Sequence, residues 1–155
     1  MNQQRRDMLR VTTVLGLAVT AGLLTAGEAS AAAEGWNAAA FDTKNLNDTV
    51  KALGGSSAVV SRDITINAPE IAENGAVVPV SVTTTLPNVQ QIAILVEKNP
   101  NALSANFTIP PGTDAFVSTR VKMAQTSNVH VLAKADGKWF VASKEIKVTL
   151  GGCGG

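Results

Sequence analysis

Tyrosine is absent from this sequence, histidine and cysteine occur once each, and aromatics make up 4% of its 155 residues. Each scarcity removes a class of function. A zinc site needs three or four clustered ligands, and His130 and Cys153 alone cannot supply them. No GxGxxG, Walker or GxSxG motif is present, which removes the common nucleotide and nucleophile-elbow signatures. Charged residues are only 16% and sum to a net of +1. Without Arg5, Arg6, Arg10, Asp7 and Glu28 near the start, ten basic and ten acidic residues remain. No basic stripe is left, so nucleic acid is not an expected partner, and any partner is recognised by shape and local chemistry. With few aromatics, the core has to come from Val, Ile, Leu and Ala. The hydrophobic share of 45% is enough for one globular domain.

Long apolar runs are also missing. An uncharged apolar run, Val11–Ala26, follows the basic Arg5, Arg6 and Arg10 and precedes A-S-A-A-A at 29–33. A spanning helix needs about 20 apolar residues, so this stretch is short for an anchor. Basic start, apolar centre and A-x-A site together make a signal peptide, expected over residues 1–33 with cleavage after Ala31 or Ala33. Paired Arg5 and Arg6 match a twin-arginine signal. That route exports folded proteins, which implies folding with a partner before export and a periplasmic address. Without a cysteine at the cleavage site, no lipid anchor is expected, and no membrane attachment after cleavage.

What is there is strand-forming. From Trp36 to Leu53, Phe41, Leu46, Val50 and Leu53 recur at helical spacing and Gly54-Gly55 stops the pattern. A helical region is therefore expected over 34–55. Beyond it, apolar residues alternate with polar ones at Ile64/Ile66, Val78/Val80/Val82, Ile92/Ile94/Val96, Val117–Met123, Val129/Val131/Ala133 and Ile146/Val148/Leu150. Turn residues separate these runs at 73–75, 86–88, 98–101 and 110–114, and Asp136-Gly137 is the strongest hairpin signal. Seven or eight short strands over 56–150 predict a mainly β fold, an immunoglobulin-like antiparallel β-sandwich.

The chemistry concentrates at the end. The sequence closes L-G-G-C-G-G, placing Cys153 between Gly151-Gly152 and Gly154-Gly155. A Cys153–His130 nucleophile pair would need the thiol held still, and glycines on both sides oppose that. A prenylation signal needs cysteine fourth from the end, and here it is third. An odd cysteine in an exported protein also permits an intermolecular disulfide, so a structural immunoglobulin-like subunit cross-linked through Cys153 remains an alternative. A thiocarboxylate on Gly155 is a further one, opposed by export because activating that carboxylate needs cytoplasmic ATP. The remaining reading is a flexible, thin swinging arm over 151–155. Extended residues span about 3.3–3.6 Å each, so Cys153 reaches about 10 Å beyond Leu150. Glycines do not activate a thiol, so activation falls to enzymes that the arm visits.

The stretches A-P-E-I-A-E-N-G-A-V-V-P-V-S-V (68–82) and S-T-R-V-K-M-A-Q-T-S-N-V-H-V (118–131), with V-T-L-G-G-C-G-G at the end, resemble the SoxY family. Its members are the Y subunits of the periplasmic thiosulfate-oxidation sulfur carrier. The resemblance implies that Cys153 is the covalent sulfur-attachment residue and Gly151, Gly152, Gly154 and Gly155 its arm. It implies no cofactor and no catalysis by the chain itself. It also implies a heterodimer with a Z subunit that lacks its own signal. A c-type cytochrome would load thiosulfate, a dimanganese hydrolase would release sulfate, and, in organisms that have it, a molybdenum–haem dehydrogenase would oxidise the remaining sulfane sulfur.

Overall fold

The computed structural model describes residues 37–150. The first elements are two short helices, α1 (Ala38–Phe41) and α2 (Leu46–Ala52). The expected helical region is thus interrupted at 42–45. Asn45 makes the break: its extended backbone starts α2 and its side-chain oxygen accepts from the Asp48 amide at 2.9 Å, an N-cap. Buried Thr43 and Thr49 hydroxyls meet across the gap at 2.6 Å. At the other end the Gly54 amide donates to Lys51 O and the Gly55 amide to Val50 O, at 2.9 and 2.8 Å. Gly54 has φ +83°, so the predicted stop is a Schellman ending.

Nine strands follow: β1 (Ala58–Val60), β2 (Ile64–Asn67), β3 (Ile71–Ala72), β4 (Val78–Thr84), β5 (Val89–Val96), β6 (Leu103–Thr108), β7 (Phe116–Val121), β8 (Ser127–Ala135) and β9 (Lys138–Val148). They make two sheets. The larger has the order β1-β9-β8-β5-β6, with β3 also paired to β9, and the smaller is β2-β4-β7. The β-sandwich expectation holds. Its main strands pair antiparallel, while the two shortest, β1 and β3, add to β9 in parallel. Strand β6 is missing from the predicted apolar runs, because L-S-A-N-F-T carries a single β-branched residue and only Leu103 is fully covered.

Ile64, Val78, Val80, Val82 and Val117 of the small sheet pack on Ile92, Ile94, Val96, Val129, Val131 and Ile146 of the large one. This is the inward set that period-2 patterning predicts. The large sheet departs from half-burial. All of Ile92–Val96 and Val131–Ala133 is buried, because Ala93, Leu95, Leu132, Trp139 and Val141 turn outward under α1 and α2 against Ala40, Val50 and Leu53. The helices form a third layer on this sheet. That explains why Leu132 stands where alternation calls for a polar residue.

Two local signals match their turns. Asp136 (φ +49°) and Gly137 (φ +75°) form the two-residue link between β8 and β9, with Ala135 opposite Lys138, as a type I′ hairpin requires. Pro79 lies in β4, the middle strand, but β2 pairs only with Ser81–Thr84. Beside Pro79 one flank of β4 is open, where a missing N–H costs no ladder bond.

Candidate functional site

Strand β9 leads from the hairpin to the chain's last five residues, and its end is tied down on two sides. On one side β3 runs parallel, pairing Ile71 with Lys147 and Ala72 with Val148. The Lys147 amide donates to Glu70 O at 2.9 Å, the Thr149 amide to Ala72 O at 3.1 Å, and the Thr149 hydroxyl to Glu73 O at 3.0 Å. On the other side the Val148 amide donates to the Thr126 hydroxyl oxygen at 2.9 Å.

Gly75 closes the clamp. Its amide donates to Leu150 O at 2.7 Å, and its own carbonyl accepts from the Met123 amide at 2.7 Å. Met123 is fully buried in the sandwich core. The last described carbonyl is therefore one residue removed from the core. The E-N-G turn is shaped locally by Asn74, whose side-chain oxygen accepts from the Ala76 amide at 2.8 Å. Its turn character is legible in the sequence. Its partner Leu150, far along the chain, carries no local signal, so Thr126, Gly75 and Thr149 escape sequence reasoning.

The predicted site residues Cys153, Gly151, Gly152, Gly154 and Gly155 lie outside the described residues, as do Arg5 and Arg6 of the expected signal. What is placed is Leu150, the base of the expected arm, three positions before Cys153. It is ringed by charged and apolar side chains: Ile71, Val77 and Leu150 are 57%, 54% and 67% exposed, and Glu70, Glu73 and Lys147 are exposed beside them.

His130 lies on the helix-covered face of the large sheet, beyond the helices. Its Nδ1 meets the Ser143 hydroxyl at 2.6 Å and its Nε2 is 3.8 Å from the Glu97 carboxylate. Burial pushes its pKa below the usual histidine value, and the Glu97 charge partly opposes that. A neutral ring with the proton on Nε2 lets Ser143 donate to Nδ1. These three side chains do not make an enclosed catalytic site, because Ser143 and Glu97 are both exposed. His130 is paired with Ser143, seven positions before Leu150, or about 23 Å along a strand. A Cys153–His130 pair finds no support in that separation. Among the described residues no group of three or more His, Cys, Asp or Glu side chains is placed to hold a metal, and no helix is long and apolar enough to cross a membrane.

A cavity of about 850 Å³ opens at the other end of the sandwich, between Thr84–Gln90 and Thr108–Ala115. It adjoins the β8–β9 hairpin, since Asn88 donates to the Asp136 carboxylate at 2.9 Å. Lys138 and Leu150 are 12 positions apart, up to about 40 Å along extended chain. Cavity and arm base are at opposite ends.

Sequence and fold both match known proteins. The family model described as sulfur oxidation protein SoxY matches residues 50–153. The solved structure of the sulfur carrier protein SoxY from Chlorobium limicola f thiosulfatophilum is 42% identical, with a TM-score of 0.63 over 70% of this chain and 96% of that one. A superoxide reductase (neelaredoxin) from Ignicoccus hospitalis, 20% identical with a TM-score of 0.50 over 56% of this chain and 80% of that one, shares the fold alone. No curated protein sequence matches the chain significantly. A β-sandwich whose final strand is clamped up to three residues before its single cysteine, matched by family and by structure, belongs to the SoxY family of sulfur oxidation proteins.

Proposed function

We propose that this chain is a periplasmic carrier that holds thiosulfate-derived sulfur covalently on Cys153 and presents it to separate enzymes. The observation that carries the reading is the clamp on β9: a fixed strand end at Leu150 followed by Gly-Gly and then the thiol. A fixed base with a thin, glycine-flanked tip suits delivery into a narrow active site, and a carrier needs no catalytic group of its own. The export signal with Arg5 and Arg6 would deliver the folded chain to the compartment where oxidised sulfur is handled. Export in the folded state fits a heterodimer with a Z subunit that lacks a signal.

Loading and release balance in atoms and electrons. Thiol and thiosulfate join through a new S–S bond, giving Cys–S–S–sulfonate, one proton and two electrons, and a c-type cytochrome takes the electrons. Water then attacks the sulfonate at a dimanganese hydrolase. The sulfane S–S(sulfonate) bond breaks, sulfate and two protons leave, and a persulfide anion stays on Cys153. Where present, a molybdenum–haem dehydrogenase oxidises that sulfur before a second hydrolysis frees the thiol.

Intact-mass measurement after incubation with thiosulfate and the coupling cytochrome should show an adduct confined to the C-terminal peptide. Cys153→Ser should abolish both the adduct and thiosulfate-dependent sulfate release. Continued sulfate release by that variant sinks the proposal. Obligate disulfide dimers whose reduction leaves sulfate release unaffected would favour the structural alternative.

A further inference from the structure

Six large apolar side chains are exposed among the described residues, and three of them, Ile71, Val77 and Leu150, lie on the segments that are bonded to the end of β9. Backbone bonds fix these segments around the end of the strand. Ile71 is paired opposite Lys147, and Gly75, two residues before Val77, donates to Leu150 O. Single exposed hydrophobics need no explanation, whereas a grouped set does. Phe116, by contrast, sits at the cavity end opposite Thr83, and Val59 and Val60 lie mid-strand beside Phe140 and Val141.

The length of the chain beyond Leu150 says what covers the group. Cys153 is three residues on, a reach of about 10 Å when fully extended. An enzyme acting on sulfur at that thiol must bring its own surface to within that distance of Leu150. The arm base is therefore in contact with the enzyme in every productive encounter, while the cavity, at the other end of β9 and up to about 40 Å away along it, is not.

We infer that Ile71, Val77 and Leu150 form an apolar docking collar that seats on the mouth of the active-site channel receiving Cys153. The inference rests on the carrier reading above. Its partner is an enzyme whose channel mouth is rimmed by apolar side chains, so that seating removes both surfaces from water. The clamp through Gly75, Thr126 and Thr149 keeps the collar and the arm exit in a fixed relation. Seating the collar then aims the thiol down the channel.

The test uses the full chain with Ile71→Ser and Val77→Ser combined, and the purified c-type cytochrome that couples thiosulfate to the thiol. Alkylation of Cys153 by iodoacetamide should keep its wild-type rate, because a small reagent needs no docking. KM for the carrier should rise about tenfold, corresponding to two apolar side chains lost from a buried rim, with kcat unchanged. Ile71→Val alone, which keeps an apolar side chain there, should leave KM near the wild-type value, and Phe116→Ser at the far end should leave KM as it is. If the double variant melts early, Leu150→Gln serves instead, since its backbone bond to Gly75 is retained. An unchanged KM in a folded collar variant, or an equal rise from Phe116→Ser, overturns the collar. Failure of the carrier reading shows differently, as sulfate release that persists in Cys153→Ser.

Discussion

Gly55 shows how one position can be set by a residue far along the chain. A Cβ built there would lie 2.3 Å from Cδ1 of Trp139 and 2.8 Å from Cγ1 of Val50. The neighbour is an indole ring packed under the helices, 3% exposed, with the Lys134 ammonium 5.8 Å from the ring centroid. It has little room to give. Gly55→Ala should therefore destabilise the fold by about 1–3 kcal/mol, the range for overpacking a core, read as a lower urea midpoint with unchanged slope. The sequence shows Gly54-Gly55 as a helix stop, which is correct for both. It does not show that Gly54 is needed for its positive φ and Gly55 for the space beside Trp139.

At the scale of elements, β9 and β5 carry the most information. Strand β9 has β8 on one flank and two separate short strands on the other, so a single element links the hairpin to the proposed arm. Thr126 holds its last regular residue by accepting from the Val148 amide. Thr126→Val leaves that amide unpaired at nearly constant volume. The expected cost is about 1 kcal/mol, together with faster hydrogen exchange confined to Val148–Leu150, while amides of β5 and β8 keep their protection. Uniformly faster exchange would contradict a local clamp. For β5 the periodic apolar residues Ile92, Ile94 and Val96 are readable as the inward face. Ala93 and Leu95 become readable only once helices are known to cover the second face, since a doubly buried strand loses its alternation.

For the whole molecule, pH dependence rests on few groups. The chain has one histidine, the side chain whose unperturbed pKa falls between pH 5 and 8. Burial lowers the folded pKa of His130 from 6.5. Below 6.5 the unfolded state then binds more protons than the folded one, so stability is full above that value and falls as pH drops through the folded pKa. Thermal unfolding between pH 8 and 5 should show a lower midpoint on the acid side. His130→Gln should flatten that part of the curve, and an unchanged slope in the variant would remove His130 as its source.

The glycine-flanked cysteine that motivates the carrier proposal, the helix stop, the Asp136-Gly137 hairpin and the sandwich class are all read from residues close together in sequence. Local φ/ψ preferences and short periodicities need no distant partner. Folding decides matters of a different kind. It brings Gly75 and Met123 to Leu150, stacks helices over the second face of the large sheet, and places the arm base and the cavity at opposite ends. Each of these depends on which strand edges and faces meet across tens of residues, and backbone hydrogen bonds, which carry the clamp, look alike in every sequence.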